Sequence, residues 1–282
     1  MKPRRREALI KAAGMLAAVI IAVLTSGAYQ PGDVVGVMPV VLDSLLESEP
    51  GSAGCELGCF AADAARYFSG ADFAIVNGGD LVRDLNQGKV LWEDVEAVFA
   101  EERALAVAEI TPAELKEILE ESVRHIALDP VTEFIDREHS DYPGFAQVSG
   151  FSFVFDASAP AGERIFSISL PDGNGLDITD DKTLYTLAAS EYMLSGGYGY
   201  ESVGGHTPLN ATLADALAKY VAESPEAIAD GDYTRIEAIG CADDTIVLHI
   251  SKPVIVLGVI VLMIVISMFI RRRPKQNEKA PR

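Results

Sequence analysis

The chain has 282 residues, with 42 acidic and 23 basic side chains and a net charge of −19 at pH 7. Residues 29–252 hold 40 of the acidic side chains and 12 of the basic ones, so their net charge is about −28. This charge excludes nucleic acid and anionic lipid surfaces as partners of the segment, because both would be repelled. A segment of about 220 residues is long enough for one domain with a substantial core.

The first predicted element is a secretory signal at residues 1–28. Basic residues at positions 2, 4, 5 and 6 precede a short apolar run from Met15 to Leu24, and small residues follow at 26–28. Secretory signals have this layout. We predict cleavage after Ala28, and the alternative of an uncleaved signal anchor stays open. Either version places the residues that follow outside the cytoplasm.

Hydrophobic patterns after the signal predict strands and helices in mixed order. Val34–Leu42 is predicted as a buried strand and Leu57–Phe68 as an amphipathic helix. A strand from Phe73 ends in an Asn-Gly-Gly sequence at 77–79, residues that tolerate positive φ angles and allow a close backbone approach. Because strands and helices do not alternate strictly, the predicted fold class is α+β. The remaining predicted elements are a short helix at 90–99, a strand at Ala104–Ile110, a helix at Thr111–Ile126, strands around 151, 164 and 183, a helix from about Leu213 to Val221 and a strand near Thr245–Ile250.

The helix predicted at Thr111–Ile126 has the clearest start in the sequence. Thr111 can cap its first turn, and Glu114 can complete a capping box with that threonine. Pro112 suits the first helical position, where its missing N–H has no partner to lose.

The three cysteines, Cys55, Cys59 and Cys241, are an odd count that excludes a disulfide framework. A single bridge stays open, since Cys55 and Cys59 would lie one helical turn apart and Cys241 could pair with either. Buried thiols are the simpler interpretation. No neighbouring histidine favours a zinc site.

The last predicted element is a transmembrane helix at residues 252–270. An uninterrupted apolar stretch runs from Pro253 to Ile270, and at about 1.5 Å per residue it matches the thickness of a bilayer core. Three arginines follow at 271–273, and clustered basic residues beside a span favour the cytoplasmic side. We therefore predict a single-pass protein of the cell membrane, with an extracytoplasmic domain at 29–251 and a basic cytoplasmic tail at 271–282.

Five ordered segments of the chain resemble the C-terminal domain of the 5′-nucleotidase family. The family pattern reads approximately ETNLGNLIADAM, ALVNGGGIRADL, LTGAELKEALEHSV, FLQVSGLRFTYDPSAPPGSRV and YTVATNDYLANGGDGY. The counterparts are GCELGCFAADAA from Gly54, AIVNGGDLVRDL from Ala74, EITPAELKEILEESV from Glu109, GFAQVSGFSFVFDASAPAGERI from Gly144 and YTLAASEYMLSGGYGY from Tyr185. The resemblance implies mixed sheets and helices whose loops hold the nucleoside part of a substrate.

The resemblance also implies that catalysis belongs to another domain. In complete enzymes of the family, two metal ions are bound by Asp, His and Asn of a preceding domain, where they activate water and clamp the phosphate. None of the four histidines here stands in a DxH or GNH cluster, and we expect no such domain before Val34. We therefore expect no catalytic residue, no metal site and no cofactor in this chain, and no catalysis by the chain alone.

The ligand pocket implied by the resemblance is altered in this chain. Family members sandwich the base between two aromatic rings, of which Tyr192 preserves one, while the other belongs to a PFGN-like loop that reads AEER at 100–103. Glu101 stands in place of that ring, Val82 in place of the arginine of NGGGIR, and Glu56 where some relatives carry an arginine. Because a phosphate loses its cationic partners, we predict weak nucleoside binding, with adenosine at least equal to AMP. The residues predicted to bind a ligand are Asn77, Gly78, Gly79, Tyr192, Gly196, Gly197 and Gly199.

The predicted function is a membrane-tethered, non-catalytic module for a small neutral or cationic ligand, such as a nucleoside-like molecule, or for a cell-surface protein partner. The alternative is the substrate-binding subunit of a split hydrolase of nucleotide catabolism, acting with a separate metallophosphatase domain. A purely structural cell-surface domain is a third hypothesis, in which the glycines only keep their loops foldable.

Overall fold

The computed structural model describes residues 29–44, 55–135, 142–224 and 233–241. All of them lie in the first of two compact units, Met1–Asp244. The predicted signal, the span at 252–270, the tail and the strand near Thr245–Ile250 fall outside these residues and stay predictions. Among the described helices, none combines the length and the apolar character that a bilayer crossing requires.

The described residues form strands and helices in mixed order, which confirms the α+β class. Two short 3-10 turns complete the described elements. Gly78–Asp80 follows the strand Phe73–Asn77, and Gly197–Gly199 follows the helix Glu191–Leu194. The strands and helices are β1 (Val34–Met38), α1 (Glu56–Ser69), β2 (Phe73–Asn77), β3 (Gly88–Leu91), α2 (Trp92–Glu96), β4 (Ala104–Ile110), α3 (Pro112–Val123), β5 (Ala146–Ser149), β6 (Ser152–Asp156), β7 (Ile165–Ser169), β8 (Tyr185–Ser190), α4 (Glu191–Leu194), β9 (Thr207–Thr212), α5 (Leu213–Glu223) and β10 (Ile236–Ile239).

A five-stranded sheet in the order β5-β2-β8-β4-β9 divides the hydrophobic core in two. Side chains alternate across a strand, so Ala74 and Val76 of β2 enter one core cluster while Phe73 and Ile75 enter the other. Helices α1, α2 and α5 cover the first face. Helix α3 and the three-stranded sheet β10-β6-β7 cover the second. Both faces are buried, which explains why β2 is apolar along nearly its whole length.

Helix α3 confirms the start read from its capping residues. The Thr111 side chain accepts a hydrogen bond from the Glu114 N–H, and the Glu114 carboxylate accepts one from the Thr111 N–H at 2.7 Å. The helix ends at Val123, three residues earlier than predicted. At this end, the Arg164 guanidinium donates to the carbonyls of Val123 and Arg124, which are among the carbonyls that a helix leaves without intrahelical donors.

The prediction of one long buried strand at Val34–Leu42 is wrong in length and in burial. Strand β1 ends at Met38 and, among the described residues, pairs with β3 alone as a two-stranded antiparallel ribbon. Val34 and Val37 are 55% and 61% exposed, whereas Met38 is buried. A ribbon with one face on the core buries only some of its residues, here Val35 and Met38 on either side of an irregular register, so the continuous valine run overstated its burial.

The cysteines lie around α1 and near β10. Buried Cys55 caps α1, where its Sγ accepts a hydrogen bond from the Gly58 N–H at 3.2 Å, and burial raises its pKa to about 11. Buried Cys59 donates its S–H to the Tyr233 carbonyl at 3.6 Å. These contacts give Cys55 and Cys59 packing and capping roles in the described structure.

Candidate functional site

The sheet topology gathers three loops at one edge. Strands β2 and β8 are parallel, so their C-terminal ends lie at the same edge of the sheet. Strand β4 runs antiparallel to β8, with Leu105 opposite Ser190, so its N-terminal end lies there too. The turn after β2, the 100–103 segment before β4 and residues 191–200 after β8 therefore meet. We call this meeting point the candidate site.

A buried ion pair forms the base of the candidate site. Asp80, whose side chain is 0% exposed, accepts a hydrogen bond from Arg103 Nε at 3.0 Å and another from the Tyr198 hydroxyl at 2.7 Å, both at its Oδ1 atom. The other nitrogens of the guanidinium reach Glu101 at 3.0 Å and the Tyr198 hydroxyl at 3.3 Å. Arg103 thus joins all three loops.

The same guanidinium covers the ring of Tyr192. The Arg103 Cζ atom lies 4.2 Å from the centroid of that ring, within the range of a cation–π contact. Ser190 caps the short helix α4 through the Met193 N–H, which places Tyr192 on this turn, and the ring of Tyr198 meets it edge-on at 5.0 Å. Tyr192 remains 44% exposed. A planar ligand that stacked on the covered face would have to displace Arg103.

The charge states of the base follow from its contacts. Burial acts to lower the pKa of Arg103, but the hydrogen bond and charge of Asp80 outweigh it, so the pKa of the guanidinium is raised. Burial, and then the hydrogen bond to Asp80, raise the pKa of Tyr198 to about 12. At neutral pH, Arg103 is therefore a cation and Tyr198 a neutral donor. The Oδ2 atom of Asp80 is buried and has no hydrogen-bond partner among the described residues.

The Asn-Gly-Gly residues use their hydrogen-bonding groups within the domain. Buried Asn77 donates from Nδ2 to the Gly144 carbonyl at 3.0 Å. The N–H groups of Gly78 and Gly79 donate to the carbonyls of Phe145 and Pro143 at 2.7 and 2.9 Å. These bonds hold the 143–145 segment against the end of β2, and this structural role accounts for the three residues. Their predicted ligand contacts stay a prediction.

Packing and backbone conformation also account for the glycines at 196–199. Gly196 and Gly199 have φ angles of 99° and 86°, which side chains rarely adopt. A Cβ atom at Gly197 would lie 2.3 Å from the Tyr192 ring, so only glycine lets this ring lie against the loop. Tyr198 itself has a φ of 56°, and the Tyr142 hydroxyl donates to its carbonyl. The glycines thus position two of the aromatic rings of the site.

Sequence reasoning missed Asp80 and Tyr198, although the motif comparison held a signal for both. Asp80 replaces the third glycine of NGGGIR, Tyr198 replaces the aspartate of GGDGY, and Arg103 replaces the asparagine of PFGN. All three departures contact one another. By contrast, the departures at Glu56 and Val82 are exposed and do not belong to this group of contacts among the described residues.

His125 and His206, the two described histidines, contact a tyrosine ring and a backbone carbonyl. The ring of His125 lies 4.4 Å from that of Tyr142, and the Nδ1 atom of His206 lies 3.0 Å from the Val203 carbonyl. Within residues 29–44, 55–135, 142–224 and 233–241, no three His, Cys, Asp or Glu side chains are grouped as metal ligands. Two acidic residues of the site, Asp80 and Glu101, instead pair with the Arg103 cation.

Comparisons with known proteins identify the family. The family described as 5′-nucleotidase, C-terminal domain, matches residues 16–205. The chain is 28% identical over 150 residues to the trifunctional nucleotide phosphoesterase protein YfkN of Bacillus subtilis, covering 51% of this chain and 9% of that protein. It is 27% identical over 191 residues to the endonuclease YhcR of the same organism, covering 66% of this chain and 14% of that protein. The chain therefore spans only a small part of these curated relatives.

Solved structures show the same fold. A 5′-nucleotidase precursor of Thermus thermophilus superposes with a TM-score of 0.59 at 22% identity, over 83% of this chain and 42% of that one. The NAD nucleotidase of Haemophilus influenzae gives 0.56 at 17% identity, over 73% and 38%. The likeness at these identities concerns the fold alone. The family match over most of the chain confirms the resemblance seen in the sequence, and the chain belongs to the 5′-nucleotidase C-terminal domain family.

Proposed function

We propose that this domain is a non-catalytic recognition module that binds a small ring-bearing ligand on Tyr192 and discriminates against phosphate. The observation that carries the proposal is the Arg103 guanidinium 4.2 Å from the centre of a half-exposed tyrosine ring. A guanidinium is a planar group, as a nucleobase is, and both stack on aromatic faces. This face of Tyr192 therefore already stacks with one planar group, the Arg103 guanidinium, and a planar nucleobase could take the same position.

The strength of such binding is limited by the contacts available. One stacking face supplies roughly 1 to 3 kcal/mol, which by itself corresponds to no better than millimolar affinity. A ligand must also displace Arg103 from the ring. We accordingly propose weak binding of a nucleoside-like molecule, unless further contacts from another chain or domain are added.

The charges at the site support discrimination against phosphate. Asp80 and Glu101 provide two carboxylates for one cation, and all three nitrogens of the Arg103 guanidinium already have partners. A phosphate dianion would have to take Arg103 from these carboxylates and would then face them without their counterion. An uncharged nucleoside avoids this cost.

A second candidate function is supported by the relatives' names. YfkN is named as a nucleotide phosphoesterase and is much longer than the matched segment. In this alternative, the same pocket presents a substrate to a separate metallophosphatase domain. Turnover that appears only when such a domain is added to the chain would favour it.

We also propose that the domain is held outside the cell membrane. The support comes from the sequence, with a signal-like start at 1–28 and an apolar segment at 252–270 followed by arginines. The acidic character of the segment between them suits a solvated surface.

The experiment that tests the ligand proposal compares adenosine with AMP. Calorimetry or ligand-observed NMR on the purified full-length chain at low salt should show adenosine binding at least as tightly as AMP, since repulsion is least screened there. Tyr192→Ala should abolish binding, and Tyr192→Phe, the matched control, should retain it. Micromolar AMP binding that exceeds adenosine binding would contradict the proposal.

A further inference from the structure

The surroundings of the Arg103 guanidinium form a cage for a cation. Carboxylate oxygens of Asp80 and Glu101 lie 3.0 Å from two of its nitrogens, the Tyr198 hydroxyl lies 3.3 Å from the third, and the Tyr192 ring lies against its face. Carboxylates and an aromatic face are the groups that proteins use to recognise organic cations. We refer to Asp80, Glu101, Tyr192 and Tyr198 as the cation cage.

The carboxylates of the cage can accept more charge and more hydrogen bonds than Arg103 supplies. Two carboxylates surround one guanidinium, so the cluster carries a net negative charge when Tyr198 is neutral. The Oδ2 atom of Asp80 is fully buried and accepts no hydrogen bond from the described residues. A buried carboxylate oxygen without a donor is destabilising, and an additional donor would remove that penalty. The Asp80 oxygen is thus a buried acceptor for which a further donor would be favourable.

The two carboxylates also differ in position, which offers a route for exchange. Asp80 lies at the base with a side chain that is fully buried, whereas Glu101 lies at the rim with a side chain that is 68% exposed. Exchange requires Arg103 to keep its bond to Glu101 while its guanidinium moves off Tyr192 towards solvent. The arriving cation would then pair with Asp80 and stack on Tyr192, giving two cations for two carboxylates.

We propose that the cation cage binds an organic cation, a ligand that carries a guanidinium or a protonated amine, with Arg103 as the resident group that this ligand replaces. The inference rests on the proposed function, because it names the ligand class of the same pocket. It also explains why the base of the site is acidic in a domain whose family pattern carries cations for a nucleotide.

Methylguanidinium and methylurea are the matched probes, since they have nearly the same planar shape and differ in charge. Calorimetry or ligand-observed NMR on the full-length chain at low ionic strength should show saturable, millimolar binding of methylguanidinium and at least tenfold weaker binding of methylurea. Sodium chloride at equal concentration controls for ionic strength. Equal binding of the two probes would overturn the proposal, because the carboxylates would then play no part.

Variants distinguish the contribution of the cage carboxylates from that of Arg103, the group that the ligand would replace. Arg103→Ala should bind methylguanidinium at least tenfold more tightly than the natural chain, and Arg103→Ala combined with Asp80→Asn should lose this gain. The Glu101→Gln variant leaves the buried pair of Asp80 and Arg103 unchanged. It should weaken methylguanidinium binding at least threefold. Glu102→Gln, the exposed neighbour in the same loop, is its control. Unchanged affinity in both Arg103→Ala and Glu101→Gln would refute the cage.

The two proposals fail in different ways. If adenosine binds through Tyr192 while methylguanidinium does not bind, the cation cage is wrong and the ring-binding function stands. If methylguanidinium binds and adenosine does not, the cage stands and the nucleoside-like ligand is wrong. If neither probe binds to the natural chain or to Arg103→Ala, both proposals are refuted.

Discussion

Replacing Arg103 with alanine should destabilise the domain substantially, through the partner it leaves behind. Asp80 is fully buried, and without Arg103 its carboxylate would keep, among the described residues, the Tyr198 hydroxyl as its one side-chain donor. Removing one partner of a buried ion pair costs about 3 to 5 kcal/mol. Because the Arg103 side chain retains 13% exposure and water can reach its place, we expect the lower end, about 3 kcal/mol.

A double-mutant cycle isolates the charge from the lost packing. In an Asp80→Asn background no buried charge is stranded, so the same Arg103→Ala change should cost only about 1 kcal/mol, as for an ordinary hydrogen bond. The coupling energy between the two positions should thus be about 2 kcal/mol. Lys182→Ala is the matched control, because the Lys182 and Asp181 side chains are 88% and 73% exposed and such surface pairs contribute about 0 to 1 kcal/mol.

Urea unfolding of the full-length chain measures these differences. Fluorescence of Trp92, the only tryptophan, and circular dichroism provide two probes whose transitions should coincide. A total stability of roughly 5 to 15 kcal/mol is usual for a domain, so a loss near 3 kcal/mol would be easily resolved. An Arg103→Ala variant as stable as Lys182→Ala, or an equal loss in the Asp80→Asn background, would show that Asp80 does not depend on this cation.

Three further predictions concern packing, titration and topology. Gly79→Ala should destabilise the domain by about 1 to 3 kcal/mol in urea unfolding, since its Cβ would lie 2.2 Å from Pro143 Cβ, whereas Gly175→Ala, with open space around it, should be close to neutral. Because burial raises the pKa of Tyr198 to about 12, its contribution to folding is fully present below pH 10 and is lost as the pH rises through 12; Tyr198→Phe should reduce the fall in stability over that window. Protease added to intact cells or protoplasts should digest residues 29–252 and spare the C-terminal tail, and a protected domain would contradict the proposed topology.

Local sequence signals were sufficient to predict the bounds of an element where its own residues determine its conformation. Strand β4 has the predicted bounds, Ala104–Ile110, because it is mostly apolar and is paired on both sides within the sheet. The Thr111 capping box similarly defined the start of α3. Strands β5 and β10, with only four residues each, were not predicted. Their extended conformation depends on pairing with β2 and β6, and no local pattern carries that information.

The candidate site was predictable in its parts and not in its arrangement. The motif comparison placed Tyr192 at the pocket, and the structure leaves it half-exposed beside the loops that were expected to meet. It did not indicate that Arg103 would lie on that ring. The bonds that fix the guanidinium join residues 95 and 118 positions apart, Arg103 to Tyr198 and Tyr198 to Asp80, so they become visible only when β2, β4 and β8 are assembled.

Asp80, Arg103 and Tyr198, the three departures from the family pattern, depend on one another through their contacts. An aspartate introduced alone at position 80 would bury an unpaired charge, which costs several kcal/mol. The arginine at 103 supplies its counterion, and the change to tyrosine at 198 replaces a second carboxylate with a donor for the first. Burial of Asp80 is unfavourable without these two donors, and together they donate two hydrogen bonds to its Oδ1 atom. The contacts of Asp80 therefore suit a cationic donor better than a phosphate, and this is why an organic cation is the first ligand to test.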